Sequence, residues 1–226
     1  MTAKTSTCVE CASINLRDRW GLTGFAQTFR DYSFTATCTL GTDTHYIRCS
    51  GYCMTYIFQD PDITDTELMV VRGCHQRLLG VPSTSPDNQI LNGSYCEYDK
   101  DLERFDSHGN KVYIKALAEF CTGEACNIKV KDFSMAVTCT GSASSLNNPD
   151  RMCYSCSTVK ENCMHSDEHC NKKFCSKSVI KFDDFRAVHK ACSDINLLGS
   201  ENGCISSHIT AIPVILCSVL SVIDQD

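Results

Sequence analysis

The sequence predicts a mostly β chain made of two small disulfide-rich modules with long loops, and three observations carry that prediction. The first is eighteen cysteines in 226 residues, a density at which cross-links replace a large apolar core. The second is a succession of short β-branched and aromatic stretches, with no long run of helical periodicity. The third is a break at 140–150, "TGSASSLNNPD", rich in Ser and Asn and almost without apolar side chains, which reads as a linker. Either side of that break a C-x2-C pair opens a cysteine series, Cys8 and Cys11 in the first, Cys153 and Cys156 in the second.

The strand-like stretches, in order, are "SFTATCTL" (33–40), "YCMTYIF" (52–58), "ELMVVRGC" (67–74), "KVYIKAL" (111–117), "IKVKDFSMAV" (128–137) and "KSVIKF" (177–182). Turn residues separate them at 60–62, 81–88 and 107–110. "YIKALAEF" also passes for a short helix. Near the end, "ITAIPVILCSVLSVI" (209–223) carries no charge but is short for a membrane span and holds Pro213. It has two readings. One is the apolar tail of a GPI-attachment signal, with Ser200, Asn202 and Gly203 as candidate attachment positions; the other is a buried final strand.

The charge balance excludes one class of partner. With net charge -6, pI ≈ 5.6 and no run rich in Lys or Arg, the chain lacks the basic patch that displaces phosphate counterions, so no nucleic-acid partner is expected. No nucleophile elbow, P-loop, dinucleotide fingerprint or paired-acid motif occurs. No catalytic residue and no cofactor is assigned, and the chain is read as not an enzyme. A secreted hydrolase would need a convergent site that sequence order does not reveal.

Cysteines at this density hold metal, perform redox chemistry or pair. C-x2-C is a good zinc half-site because it aims two thiolates from one tight turn. The later pairs are C-x3-C (Cys49, Cys53) and C-x4-C (Cys121, Cys126; Cys170, Cys175), spacings that do not repeat. His165 and His169 lie four apart, with Glu168 in the wrong place for metalloprotease chemistry; they read as loop histidines. No metal ligand is assigned, and a cytosolic zinc-binding interaction module stands as the alternative. "CVEC" and "CYSC" do not sit between a strand and a helix as a thioredoxin motif does. An even count of cysteines fits pairing in an oxidising compartment. "MTAKTSTC" has no apolar stretch after its Lys, so we expect a leader missing from this numbering.

The order Cys153-x2-Cys156-x6-Cys163-x6-Cys170-x4-Cys175-x16-Cys192 resembles the opening of a three-finger LU domain, the family of lymphocyte-antigen-six proteins and the urokinase receptor. "CTGEACN" (121–127) resembles the other end of that signature, a cysteine pair followed by an Asn whose side chain bonds back to the core. "CVECASINLRDRWGLTGFAQTF" is similar to the nematode odour-response branch. The resemblance implies three-finger modules at 8–139 and 153–204, a linker at 140–152 and a tail at 205–226. It implies the pairs Cys8–Cys53, Cys11–Cys38, Cys49–Cys74 and Cys121–Cys126, then Cys153–Cys175, Cys156–Cys163 and Cys170–Cys192. Phe120 stands where the partner of Cys96 usually sits, which leaves Cys139 available to it. No closing C-x4-C-N follows in the second module, so Cys204 and Cys217 pair with each other or not at all. The function implied is non-catalytic binding at the cell surface or after secretion, modulating a receptor or channel or mediating adhesion, with a lipid anchor as the membrane contact.

Three surface features are candidates for that work. "NGS" makes Asn92 a glycosylation acceptor. The turn "QDPDITDTE" carries Asp60, Asp62, Asp65 and Glu67, either a fingertip for a basic partner or a solvated acidic turn. The stretch 18–34 holds Trp20, Phe25, Phe29, Tyr32 and Phe34, either an exposed recognition patch or core.

Overall fold

A computed structural model describes residues 5–25, 28–63, 67–80, 94–108, 110–138, 150–158, 168–182, 185–197, 203–209 and 212–219; for 138, 158, 180–182, 185–187 and everything beyond 202 only the backbone is described. The first module contains β1 (Ser6–Val9), β2 (Cys11–Ser13), β3 (Phe34–Thr35), β4 (Tyr46–Cys49), β5 (Cys53–Gln59), β6 (Leu68–Cys74), a one-turn helix α1 (His75–Leu79), β7 (Ser94–Phe105) and β8 (Lys111–Cys121). β1 and β4 form a two-stranded ladder, and the rest form a six-stranded sheet in the order β3-β2-β6-β5-β8-β7. All these pairings are antiparallel except β2 with β3.

The alternation of side chains explains why this sheet is covered on both faces. On one face Met54, Tyr56 and Phe58 of β5 lie beside Met69 and Val71 of β6 and Ala116, Ala118 and Phe120 of β8, all buried. Aromatic side chains from the stretch 18–34 lie over this face. Trp20 is tilted against Phe29 at 5.1 Å and meets Phe34 edge-on at 5.8 Å, and Phe25 meets Tyr56 edge-on at 5.9 Å. Trp20 is thus core, not an exposed binding residue; a cluster this aromatic is the apolar payload the sheet face requires. The opposite face carries Thr55 and Ile57 of β5, Val70 and Arg72 of β6 and Leu117 of β8, with Val9, Cys11, Cys38 and Val130 packed against it.

Two polar side chains tie that second face together. Asn127 is fully buried; its Oδ1 accepts from the Val9 N–H at 2.9 Å, while Nδ2 donates to the carbonyls of Val9 at 2.9 Å and Met54 at 3.2 Å. Arg72, also fully buried, donates to the carbonyl of Cys38 at 3.1 Å and to those of Asn127 and Val130. Burial pulls the Arg72 guanidinium down to about 10, with Glu119 opposing the shift. Gly41 (φ +64°) passes close by: a Cβ there would lie 2.7 Å from the Ile128 carbonyl oxygen, so glycine is required both by conformation and by space.

The disulfides with both cysteines described are Cys8–Cys53, Cys11–Cys38, Cys49–Cys74, Cys121–Cys126, Cys153–Cys175 and Cys170–Cys192. These coincide with pairs that the resemblance implies. Cys96 and Cys156 are also disulfide-bonded, while Cys139 and Cys163 lie outside the described residues. Cys8, Cys49, Cys53, Cys74 and Cys121 form one buried cluster at an end of the first module. Six or more disulfides belong to a protein that folds in an oxidising, secretory environment.

The second module contains β9 (Arg151–Tyr154), β10 (Cys156–Thr158), β11 (His169–Lys172), β12 (Phe174–Phe182), β13 (Phe185–Ser193), β14 (Gly203–Ile209) and β15 (Ile212–Val219). β9 pairs with β11, and the others form a sheet in the order β10-β13-β12-β15-β14. The segment expected as a tail from 205 therefore supplies most of two strands. The boundary at 204 falls inside β14, and the apolar run 212–219 finds a partner in β12. Cys204 and Cys217 are register partners across β14 and β15.

Two further expectations change. Of 33–40 only Phe34–Thr35 is strand. The Thr35 and Thr37 hydroxyls donate to Asp43 at 2.6 and 3.1 Å and Cys38 is drawn to Cys11, which turns the chain. The stretch 128–137 contains no strand but 3₁₀ turns at Cys126–Ile128 and Phe133–Thr138; Arg72 takes the Val130 carbonyl within it and the Asn127 carbonyl just before it. The helical option for "YIKALAEF" gives way to β8.

Replacing Asn127 by Ala removes the buried hydrogen bonds that its side chain makes to the Val9 N–H and to the Val9 and Met54 carbonyls. Chemical unfolding without reductant should show a loss of about 3 kcal/mol or more, with all disulfides still formed.

Candidate binding surface

At the end of the first sheet away from the sulfur cluster, the β5–β6 and β7–β8 turns meet through Asp62, which a single arginine grips. Arg19, just before a 3₁₀ turn at Trp20–Thr23, donates to both carboxylate oxygens of Asp60, at 2.7 and 2.8 Å, and pairs with Asp62. The Asp60 hydrogen bonds hold the Arg19 guanidinium above its ordinary value. Asp62 Oδ1 in turn accepts the Ser107 N–H from the β7–β8 turn at 2.5 Å, the main cause of its lowered pKa. Asn15 Nδ2 donates to Glu67 at 3.2 Å.

These contacts sort the predicted residues. Asp60 is 1% exposed and serves as an internal anchor rather than a contact for a partner, because a bidentate arginine fixes it inward. Asp62 and Glu67 remain on the surface, and Asp65 lies outside the described residues. Beside them stand Ile14 and Ile63, about half exposed, which the sequence reading passed over. Asn92, Ser200, Asn202 and His165 lie outside the described residues; Gly203 opens β14. His169 is on β11 rather than in a loop, its ring 5.0 Å from that of Tyr154.

A second polar arrangement is a seam between the modules. β7 is an edge strand, and its acids at 97, 99 and 103 reach the second module. Asp99 and Glu97 accept the N–H groups of Asp194 and Asn196 at 2.9 and 2.7 Å, taking the place of a strand ladder. A bulge between Asp99 and Leu102 aims Asp99, which also pairs with Lys172. Glu103 lies 3.5 Å from Lys111 and accepts from Ser155. Between these contacts Ile195 and Leu197 pack into the aromatic core, and His75 Nε2 bonds the Leu197 carbonyl at 2.7 Å. Part of the signal was present in "EYD", whose acids two apart, Glu97 and Asp99, share one face of the strand, while the bulge shifts Glu103 to the other. Its charge hid it, since Asp, Glu and Lys are poor strand formers.

Burial pushes the Glu97 carboxyl up to about 7, against the Asn196 hydrogen bond that favours its charged form. Burial pulls the His75 imidazole down to about 4. Among the described residues no cluster of three or more His, Cys, Asp or Glu could hold a metal ion, and no helix is long and apolar enough to cross a membrane. Comparison with protein-family models, curated proteins and solved structures gave no match.

Two predictions follow from these contacts. An acid raised from 4.5 to about 7 in the folded state stabilises most below its unfolded pKa and loses that contribution as pH rises through 7. Glu97→Gln keeps an acceptor for Asn196 and removes the charge. Its unfolding midpoint should therefore gain on the parent progressively from pH 4.5 to about 7 and hold that gain to about pH 8; His75, common to both, cancels in the difference. At the other end, Asp60→Asn should lower stability by about 1–3 kcal/mol in thermal unfolding, a buried charged partner being lost, whereas Asp62→Asn should shift it less.

Proposed function

We propose that this is a non-catalytic, three-finger binding protein of the LU type, secreted or held at the cell surface, that engages a receptor, channel or adhesion partner through the loop end of its first sheet. The observation that carries the reading is the closing pair Cys121–Cys126 followed by Asn127, whose side chain bonds Val9 and Met54. That closure is the feature "CTGEACN" shares with the family. Further support comes from the hairpins β5–β6 and β7–β8, which leave the sulfur cluster and return to it.

The physical logic favours binding over chemistry. Cross-links at one end, each contributing about 2–4 kcal/mol, let the far loops vary without loss of fold. There Asp62, Glu67, Ile14 and Ile63 mix charge with exposed apolar surface, the composition of a contact patch. Basic, partly apolar partners fit it.

Lipid attachment at Ser200, Asn202 or Gly203 would remove β15 from β12 and expose the β12 ladder. We therefore read the chain as keeping residues 203–219. Intact mass of the secreted or surface-released protein checks this directly: the β14–β15 strands should be present.

The binding reading is tested by applying oxidised protein to intact cells. Saturable, protease-sensitive binding should weaken about tenfold or more with Ile14→Asp and Ile63→Asp together and vanish after reduction and alkylation. Binding indifferent to the double variant would remove the loop end from the interface, and free thiols in the native protein would remove the whole reading.

A further inference from the structure

On the first module, away from the loop end, an open cavity of about 680 Å³ lies between the β1–β2 junction, β4, α1 and residues 28–29. Sites for small ligands run about 300–1,000 Å³. Its lining includes Glu10, Phe29, Arg48, Gln76, Arg77 and Leu78.

Glu10 sets the charge of the cavity. Its carboxylate is 5% exposed, with Arg77 Nη1 3.1 Å from Oε2 and His45 Nε2 3.9 Å from Oε1. No donor hydrogen is directed at Oε2, so the Arg77 contact is ionic. This buried acid stations the Arg77 guanidinium at the cavity while the side chain stays 58% exposed. Arg48 on β4 is exposed and meets no carboxylate among the described residues. Two guanidinium groups against one carboxylate leave one net positive charge here, on a chain whose formal net charge is -6.

The neutral groups point the same way. Ser50 Oγ donates to Gln76 Oε1 at 2.6 Å, so the amide oxygen is taken and its NH₂ is the end left to donate. Phe29 and Leu78 supply an apolar wall. Both pack over Gly73, where a Cβ would lie 3.1 Å from Phe29 Cζ and 3.3 Å from Leu78 Cδ1. A ligand cation at Glu10 would have to displace Arg77, whereas an anion meets Arg48 and Arg77 with nothing to displace.

We propose that this cavity binds a small organic anion, its carboxylate or equivalent oxyanion held by Arg48 and Arg77 and its apolar body set against Phe29. Guanidinium forks match carboxylate geometry and resist dehydration less than ammonium groups do. The site is independent of the loop-end reading.

Phenylacetate titrated into the oxidised full-length protein, followed by calorimetry and NMR, provides the test. Phenylacetate should saturate at millimolar Kd or tighter, its neutral isostere phenylacetamide should bind about tenfold or more weakly, and inorganic sulfate should compete with it. Arg48→Ala should cost about tenfold in Kd and Arg48→Lys less, with unfolding midpoint and thiol content unchanged. Equal affinity for acid and amide, no saturation below about 10 mM, or an Arg48→Ala Kd equal to the parent's would each overturn the proposal. The acid–amide comparison needs no variant, so a folding defect in one cannot rescue it.

Discussion

The first module depends on the carboxamide of Asn127. β1 is paired with β4 in a small ladder of its own, and among the described residues no strand pairing joins that ladder to the centre of the main sheet. The Cys8–Cys53 cross-link ties β1 to β5 at one end, and the Asn127 side chain supplies the hydrogen-bonded join, meeting both polar groups of Val9 and the Met54 carbonyl of β5. A carboxamide can donate and accept at once, so it substitutes for a strand residue at a place where no strand fits. Cys121–Cys126 holds the chain in position to deliver it. Arg72 then uses the carbonyl of the same residue to bind the loops of Cys38 and Val130 onto this face. A buried guanidinium bonded only to neutral oxygens is costly to desolvate, which its lowered pKa reflects. Its role is to tie together the carbonyls of Cys38, Asn127 and Val130, the first two of which also accept from the Gly41 N–H and the Thr55 hydroxyl.

The seam follows from the same accounting of backbone groups. An unpaired edge such as β7 invites pairing with other chains. Here alternate side chains turn outward as carboxylates and take N–H groups from residues 194 and 196, while Ile195 and Leu197 between them enter the core. Polar contacts fix the register and apolar ones supply the driving force. A module too short to bury an adequate core of its own gains it from its neighbour. Glu97 and His75, whose burial opposes their charged forms, border the same short segment, so both work best uncharged.

Much of the fold was legible because sulfur and alternation are local signals. β5, β6, β8 and β12 announce themselves by β-branched and aromatic content, and the cysteine spacings mark where the chain must converge. What escaped was decided by partners distant in sequence. "SFTATCTL" has strand composition, yet a cross-link to Cys11 and the Asp43 carboxylate fold it into a turn. "IKVKDFSMAV" also reads as strand, but Arg72 takes its Val130 carbonyl and that of Asn127 just before it. "SYCEYDKDLERF" is not among the strand-like stretches, yet it forms the longest strand among the described residues, and the second module supplies donors for its acids. The surface reading fared unevenly for a similar reason: an Asp in a turn looks the same whether it faces water or an arginine 41 residues away, as Asp60 does.

That arginine bears on what the loop end can do. Loops that vary freely are poor binders when each must be ordered on contact, since every immobilised side chain costs about 0.5–1.5 kcal/mol. Arg19 removes part of that cost beforehand. By gripping Asp60 from within and Asp62 at the rim, and through Asp62 meeting the Ser107 amide, it fixes three separate chain segments in one arrangement. It also neutralises the acids that would otherwise repel one another across the turn. The negative charge left for a partner is then smaller than the sequence suggests, and the exposed Ile14 and Ile63 carry more of the contact. A partner selected by this surface should thus be chosen by shape and apolar fit first, with its basic groups setting orientation and rate of approach.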